Sequence, residues 1–415
     1  LGWIPLLTLA AVFVLIAIRQ VGSVRLPIWV VMLAGAAVVL LTGQIGLSEA
    51  LAAINVDVLV LLFGMFVLGQ ALEWSGYLSH LSYRLFKRAP SADVLVLAVI
   101  FGSAVASALL MNDTLAVIGT PVMLLLSRKH GVSAKMLLLA LAFSITLGSV
   151  VSPIGNPQNL LVALHSGLSD PFGSFLRFLL LPTLVNLILT FLLLRHFYPG
   201  EFHSRPLRHE KEPLEDERMA RWAKIGLLIV VALVLVKLAI AALHLPFDFP
   251  LTWVALAGAL PVLLLSRRRL QVLKRVDWPT LVFFAAMFVL VQSVWLTGFF
   301  QSLLTQFRLD VAALPVIFGV SVVLSQFISN VPLVALYLPL LAQVHASAVA
   351  YLALAAASTI AGNLFILGAA SNVIIVQNAE SRGHEGLTFW EFARIGVPLT
   401  ALNVAVYWLF LGFAG

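Results

Sequence analysis

Residues 148–159, GSVVSPIGNPQN, interrupt an apolar run that otherwise extends from about Met136 to Leu164. Pro153 and Pro157 lack backbone donors and clash with the preceding turn, and Gly155 tolerates angles that other residues avoid. A helix entering this stretch breaks and restarts near Gln158. At membrane depth, opened backbone survives only where protein or a water-filled cavity covers it. Carbonyls freed before the break can ligate a cation. The N–H groups after it, with Gln158 and Asn159, can face an anion or a polar solute. Membrane transporters build binding sites in this way.

The composition agrees with a polytopic membrane protein. The chain has 415 residues, of which 61% are hydrophobic and 10% charged, with a mean hydropathy of +1.06. This excludes a soluble enzyme. With no cysteine, disulfides, thiolate metal sites and cysteine nucleophiles are excluded too. The net charge of +7 does not indicate a nucleic-acid partner, because the basic residues sit in short loops between apolar spans. The nine histidines show no ligand spacing, and no Walker or Ser-His-Asp pattern occurs. Neither a metal site, a cofactor nor an enzymatic activity is expected.

Apolar runs predict spans near 3–18, 26–42, 56–72, 92–110, 115–128, 136–164, 174–195, 222–243, 250–266, 278–296, 311–328, 332–344, 348–380 and 389–412. Leu1 to Ile18 has no basic leader and reads as a first span, not a signal peptide. Threaded alternately, all of the 25 basic residues except Arg177, Arg308 and Lys237 fall on one face, which is then cytoplasmic. Both termini lie on the other side, and Lys237, near the outer end of its helix, is expected to snorkel. Asp57, Asp93 and Asp277 each stand at a helix start and read as N-caps. Glu73, beside Trp74, reads as interfacial.

A polar linker, 199–221, divides the chain into halves 1–198 and 222–415, and its composition predicts little packed structure. The halves correspond. MFVLGQ at 65–70 answers MFVLVQ at 287–292, Asn112 and Pro121 answer Asn330 and Pro339, and Gly155 and Asn159 answer Gly368 and Asn372. Since the first half starts outside and the second inside, the fold class is an all-α polytopic membrane protein of two inverted-topology repeats.

MNDT at 111–114 and SQFISNVP at 325–332 are polar turns inside apolar stretches. Each belongs either to a pair of full spans or to a re-entrant hairpin, at about 92–128 and about 311–344; charge parity does not separate the two. The second arm, about 14 residues, falls short of the roughly 20 that a span needs, which favours hairpins. Their tips are expected to meet the two broken helices, about 136–164 and about 348–380.

At MNDTLAVIGTP, SPIGNPQN, SQFISNVP and GNLFILGAASN the chain resembles the ion transporter superfamily over nearly its whole length. That group holds arsenite/antimonite efflux permeases, sodium/proton antiporters and divalent-anion/sodium symporters. In the symporters the resemblance implies a Ser-Asn-Thr motif at each tip. Here Met111, Asn112 and Asp113 stand at the first tip, and Ser329, Asn330 and Val331 at the second. Both asparagines match and both threonines are replaced, which points away from dicarboxylates and toward the arsenite-permease-like members and unassigned bacterial anion permeases. The resemblance also implies a homodimer whose transport units move against a fixed scaffold.

The expected site combines Asn112, Asn156, Asn159, Asn330, Ser371 and Asn372 around the substrate with Asp113, Gly155, Ser329 and Gly368 around a coupling sodium ion or proton. An ionisable group inside a membrane protein is costly and functional by default, so Asp113 reads as proton carrier or cation ligand. A carboxylate repels a dianion, which favours a neutral or weakly charged substrate or a cation. The resemblance makes metalloid oxyanion efflux, arsenite or antimonite, the first expectation, in a bacterial or archaeal cytoplasmic membrane. Carboxylate or inorganic anion symport, sodium/proton antiport and a gated channel are the alternatives.

Overall fold

The computed structural model describes residues 2–18, 20–21, 24–202, 214–243, 247, 249–299, 302, 310–328, 330–383 and 386–413. The first half contains α1 (Ile4–Ile18), α2 (Ile28–Leu41), the short α3 (Leu47–Ala53), α4 (Val56–Trp74) and α5 (Tyr77–Phe86). Then come the paired arms α6 (Ala92–Leu110) and α7 (Asn112–His130), the half-helices α8 (Ala134–Ser149) and α9 (Pro157–His165), and α10 (Pro171–Phe197). Among the described residues the second half repeats this order except for a counterpart of α5. It has α11 (Glu217–Ala242), α12 (Leu251–Leu265), the short α13 (Arg269–Lys274), α14 (Trp278–Trp295), the arms α15 (Leu314–Ile328) and α16 (Asn330–Gln343), the half-helices α17 (Ala348–Ile360) and α18 (Ala370–Ser381), and α19 (Phe389–Gly412). Among the described residues the only sheet is a two-residue antiparallel pairing of Gln20–Val21 with Val24–Arg25. Six helices, α4, α6, α10, α11, α14 and α19, are long and apolar enough to cross a membrane.

The halves interlock rather than sit side by side. Helix α4 packs on α12, and α2 on α14, in a reciprocal exchange. At Gly64 the backbones come so close that a Cβ would lie 2.8 Å from the Ala255 carbonyl. The first arm of each hairpin lies on its own broken helix, α6 on α8 and α15 on α17. Each second arm crosses to the other repeat, α7 to α18 and α16 to α9. The axis of this arrangement is buried on all sides. Every residue of α8 from Met136 to Ser149 is buried, as is every residue of α17 from Ala350 to Ile360. A helix apolar all round belongs in such a core.

Several expectations change here. The second arm of the first hairpin runs 19 residues, about 28 Å at 1.5 Å per residue, so the length argument for a hairpin fails on this arm. Pro121 does not end the helix. The carbonyl it frees one turn back, on Val117, accepts a hydrogen bond from Asn378 Nδ2 of α18 at 3.0 Å, so the other repeat supplies the missing donor. Re-entry rests instead on the tip, where Asn112 N–H donates to the Gly155 carbonyl at 3.1 Å. The hairpin reaches the level of the break and turns back there.

The linker ends are docked. Glu201 accepts from Ser133 N–H at 2.7 Å, Phe202 packs edge-on to Phe191, and Glu215 N–H donates to the Ser75 carbonyl. Helix α11 already begins at Glu217, inside the predicted linker, with Asp216 Oδ1 accepting from Met219 N–H. Lys237 does not snorkel; it is buried, with Nζ 2.8 Å from the Phe249 carbonyl. Asp277 is an N-cap, bonded to Thr280, but Asn55 caps α4 in place of Asp57, and Ser91 caps α6 in place of Asp93. Glu73 is tied to Arg382 at 2.8 Å, joining α4 to the end of α18.

Candidate functional site

The first break is closed by its own side chains. Asn156 caps α9 by accepting from Asn159 N–H at 2.8 Å, and its amide nitrogen donates to Ser149 Oγ and Thr359 Oγ1. Asn159 Nδ2 faces the carbonyls of Ser149, Val150 and Ser152 at 3.0, 3.4 and 3.1 Å. These carbonyls stand where the helical ladder of α8 ends; Ser149 and Ser152 also accept from Ser152 N–H and Gly155 N–H, respectively, within the turn, and the amide braces all three. Asn159 Oδ1 lies 3.2 Å from the hydroxyl of Thr359 on α17, so the clamp reaches into the second repeat. At Gly155, a Cβ would collide with the Ser149 carbonyl and come within 2.7 Å of Ser149 Cα. Only glycine fits.

The second break shares the frame and not the closure. Asn372 Nδ2 donates to the Gly362 carbonyl at 2.6 Å, as Asn159 does to Ser149. Two short 3-10 turns, Ala361–Asn363 and Ile366–Gly368, fill the gap. At the N-cap position of α18 stands Ala369, with no side-chain cap. Gln326, near the tip of the second hairpin, donates through Nε2 to the carbonyls of Ala361 and Val322. Its Oε1 points where a Cβ on Gly368 would lie, 2.7 Å away. Both tips therefore meet the break of their own repeat.

What stays unpartnered defines the site. Among the described residues, the buried side-chain atoms without a hydrogen-bond partner include Asp113 Oδ1 at the first tip. In the second half they include Asn330 Oδ1, Gln326 Oε1, Asn372 Oδ1, Ser371 Oγ and Ser325 Oγ. The amide nitrogens of Asn372 and Gln326 are fixed on backbone carbonyls, so their free ends are oxygens. Buried polar groups are normally bonded, and a cluster of exceptions calls for an explanation. Most of these open atoms are acceptors; the open amide nitrogen of Gln377 on α18 and the uncapped start of that helix supply donors. Among the described residues, the only buried acidic side chains are Asp113 and the helix cap Asp277. The one buried basic side chain is Lys237, held by Phe249.

Of the residues picked from sequence, Asn112, Asp113 and Gly155 come together at the first tip, and Asn330, Gly368, Ser371 and Asn372 lie at or beside the second break. Ser329 lies outside the described residues. Asn156 and Asn159 sit in the first break with their amides spent on holding it. Sequence reasoning missed Thr359 and Ser149, which complete the clamp, and a buried amide ladder. In that ladder Asn363 donates to Asn403 at 3.0 Å, and Asn403 to Asn186 at 2.9 Å, linking the second break to α19 and α10. The signal was present: Asn186 and Asn403 are polar residues in the middle of apolar helices that correspond between the repeats.

Comparison with known proteins adds the following. The family described as "Citrate transporter" (CitMHS) matches residues 12–361. An uncharacterized transporter of Mycobacterium tuberculosis is 30% identical over 373 residues, covering 86% of each chain. The silicon efflux transporter LSI3 of rice, Oryza sativa subsp. japonica, is 29% identical over 441 residues, covering 90% of each chain. Among solved structures, the Alcanivorax borkumensis YdaH transporter aligns with 99% of this chain and 96% of its own, at a TM-score of 0.47 and 18% identity.

Proposed function

The chain belongs to the citrate transporter family, and from that membership we propose that it is a secondary transporter for a small, hydroxyl-rich solute of little or no charge, a metalloid hydroxide first. One observation carries the reading. The open buried groups at the tips and the second break are mostly neutral oxygens, with a single carboxylate and the amide nitrogen of Gln377, and the one buried basic side chain among the described residues, Lys237, is held by Phe249. A multiply charged anion there would meet Asp113 without a compensating cation. An uncharged hydroxide such as arsenious, antimonous or silicic acid brings O–H donors to the acceptors and oxygens to the N–H groups of α18. The likeness to a silicon efflux transporter supports the same chemistry.

In this reading Asn112, Asn330, Ser371 and Asn372 contact the solute. Asn156 and Asn159 act from behind, by fixing the first break. Asp113, with carbonyls around Gly155, Ser329 and Gly368, takes the coupling proton or sodium ion. Alternating access follows if the hairpins and broken helices move as a unit against the reciprocal frame of α2, α4, α12 and α14. We assign the protein to a prokaryotic cytoplasmic membrane as a homodimer, with 199–216 inside and both ends of the chain outside.

The second reading is transport of a carboxylate such as citrate, favoured by the family's description and by the uncapped start of α18, where N–H groups are free to receive an anion. Purified protein in proteoliposomes decides between the two. Arsenite or silicic acid, and not citrate, should accelerate exchange of radiolabelled arsenite under an imposed pH or sodium gradient. Exchange specific for citrate would replace the first reading by the second, and flux that does not saturate would indicate a channel.

A further inference from the structure

A chain of polar contacts joins α4, α18 and α7. The Glu73 carboxylate on α4 receives two nitrogens of Arg382, Nε at 2.9 Å and Nη2 at 2.8 Å. Arg382 Nη1 donates to the Asn378 carbonyl at 3.1 Å, and Asn378 Nδ2 donates to the Val117 carbonyl on α7. Val117 lies one helical turn beyond Asp113, and its side chain comes within 3.6 Å of where a Cβ on Gly69 of α4 would lie. Arg382, Asn378 and Val117 belong to the hairpins and broken helices, whereas Glu73 belongs to the frame of α2, α4, α12 and α14. Among the hydrogen bonds of this chain, the Glu73–Arg382 pair is the one that crosses from frame to hairpins and broken helices.

The packing around the pair is open. Two cavities, of about 470 and 270 Å³, are both lined by Gln70 and Glu73 of α4, Arg128 of α7 and Arg275 before α14. The seam is thus loose on the face that carries the basic loops and closes farther in, where Gly69 meets Val117. Asp277 lines the larger cavity, but Thr280 holds both of its carboxylate oxygens, so it does not replace Glu73. The opposite face lacks the device. At the spacing that relates MFVLGQ to MFVLVQ, Trp295 answers Glu73, and at the spacing that relates Asn159 to Asn372, Ser169 answers Arg382. Neither carries a charge.

We propose that Glu73 and Arg382 form a latch that fastens the hairpins and broken helices to the frame on the basic-loop face and opens once in each transport cycle; this rests on the alternating-access reading above. In that motion α7 and α18 travel together, held by Asn378 and Val117, and Glu73 stays behind, so the ion pair must part. Its side chains are 28% and 18% exposed. A pair with this access to water biases an equilibrium without locking it, because both charges regain hydration when they separate. Standing on one face only, the latch favours the state described here over its counterpart on the other side.

The test uses the absence of native cysteine. Gly69→Cys has room for its Cβ against Val117, and its thiol reports the seam. Labelling by a small charged methanethiosulfonate is timed on the full-length protein in detergent. Adding Glu73→Gln or Arg382→Gln should speed it about ten-fold, the lower end for a charge-assisted hydrogen bond because the pair is part-exposed. Both neutralisations together should be no faster than either alone, since they remove the same bond. A cysteine at Ala140, buried within α8, should stay slow in every background. Unchanged Gly69→Cys labelling overturns the latch, as do multiplying effects in the double variant or an equal gain at Ala140→Cys, which would make the pair a general brace. Labelling needs no solute, so failure of the protein to carry arsenite would defeat the functional reading without touching this result. In proteoliposomes, bridging Glu73→Cys to Arg382→Cys with a reducible bis-methanethiosulfonate should stop transport until the bridge is reduced. Bridging Asp57→Cys to Thr252→Cys, a contact between frame helices, should not. Transport at the unbridged rate in fully bridged Glu73→Cys/Arg382→Cys overturns the proposal, as does equal loss in the frame pair.

Discussion

The first break keeps its polar groups to itself and the second leaves them open, although the two occupy equivalent places in the repeats. Three matched pairs show the pattern. Ser107 donates to the Ile145 carbonyl at 2.6 Å, whereas its counterpart Ser325 has no partner. Asn112 Oδ1 accepts from Asp113 N–H at 2.9 Å, whereas Asn330 Oδ1 accepts nothing. Asn159 Oδ1 meets Thr359, whereas Asn372 Oδ1 is free. The exception runs the other way, for Asp113 is open in the first half and Val331 stands at the matching position. Duplication supplied one frame twice, and the halves diverged in what they expose. One offers a single ionisable group, the other a set of neutral oxygens.

This division can be broken by substitution, and the largest effect should come from glycine. In Gly155→Ala the added methyl meets backbone on the Ser149 side, so no monodisperse protein should emerge from size-exclusion chromatography. Gly368→Ala meets Gln326 Oε1, the movable end of a side chain, at 2.7 Å and the Ala361 carbonyl at 2.8 Å. It should fold, with a lowered unfolding temperature.

Next come the two asparagines that tie each break to the helix before it. Asn159→Ala removes two N–H donors from the carbonyls of Ser149, Val150 and Ser152, a loss of about 2 kcal/mol at roughly 1 kcal/mol for each hydrogen bond. Asn372→Ala loses one and should cost about 1 kcal/mol on the same scale. Thermal unfolding in detergent gives that order. Transport by the surviving protein should give the reverse, with Asn372→Ala the more impaired. If both rankings agree, the open-and-closed distinction has no functional meaning.

The smallest effect sharpens the same contrast. Ser107→Ala loses a buried hydrogen bond worth about 1 kcal/mol. Ser325→Ala loses none and should unfold within a degree or so of the parent, as surface-like substitutions do.

How far the sequence foretold this follows from where the information sits. Pro153, Gly155 and Pro157 act on their own backbone, so the first break is legible in a dozen residues. Repetition then located the second break, though its local sequence, GNLFILGAASN, has no proline. The full length of α7 was not legible, because the polar residues Asn112 to Thr114 and Arg128 to His130 fall at the ends of its apolar run; nor could the sequence show that Asn378, more than 250 residues later, supplies the donor to Val117 that Pro121 leaves missing. The roles of Asn156 and Asn159 were hidden for a similar reason. An asparagine in a break can face a solute or hold the turn, and the choice depended on Ser149 and Thr359 being in reach. The amide ladder of Asn363, Asn403 and Asn186 joins three segments whose contact only the folded chain creates.

The central claim is that Asp113 couples the gradient while Asn112 and the open groups of the second half hold the solute, and Asp113→Asn tests it most directly. The substitution keeps size and hydrogen bonding and removes the charge. Solute binding at equilibrium and gradient-driven transport should be measured on the same proteoliposome preparation, with pH and sodium gradients imposed separately. The account predicts solute binding within a few-fold of the parent, with accumulation or efflux no longer responding to whichever gradient drives the parent. Gradient-driven transport by Asp113→Asn at the parent rate would contradict it, leaving Asp113 as a polar residue at the start of α7 and the coupling mechanism without its carrier.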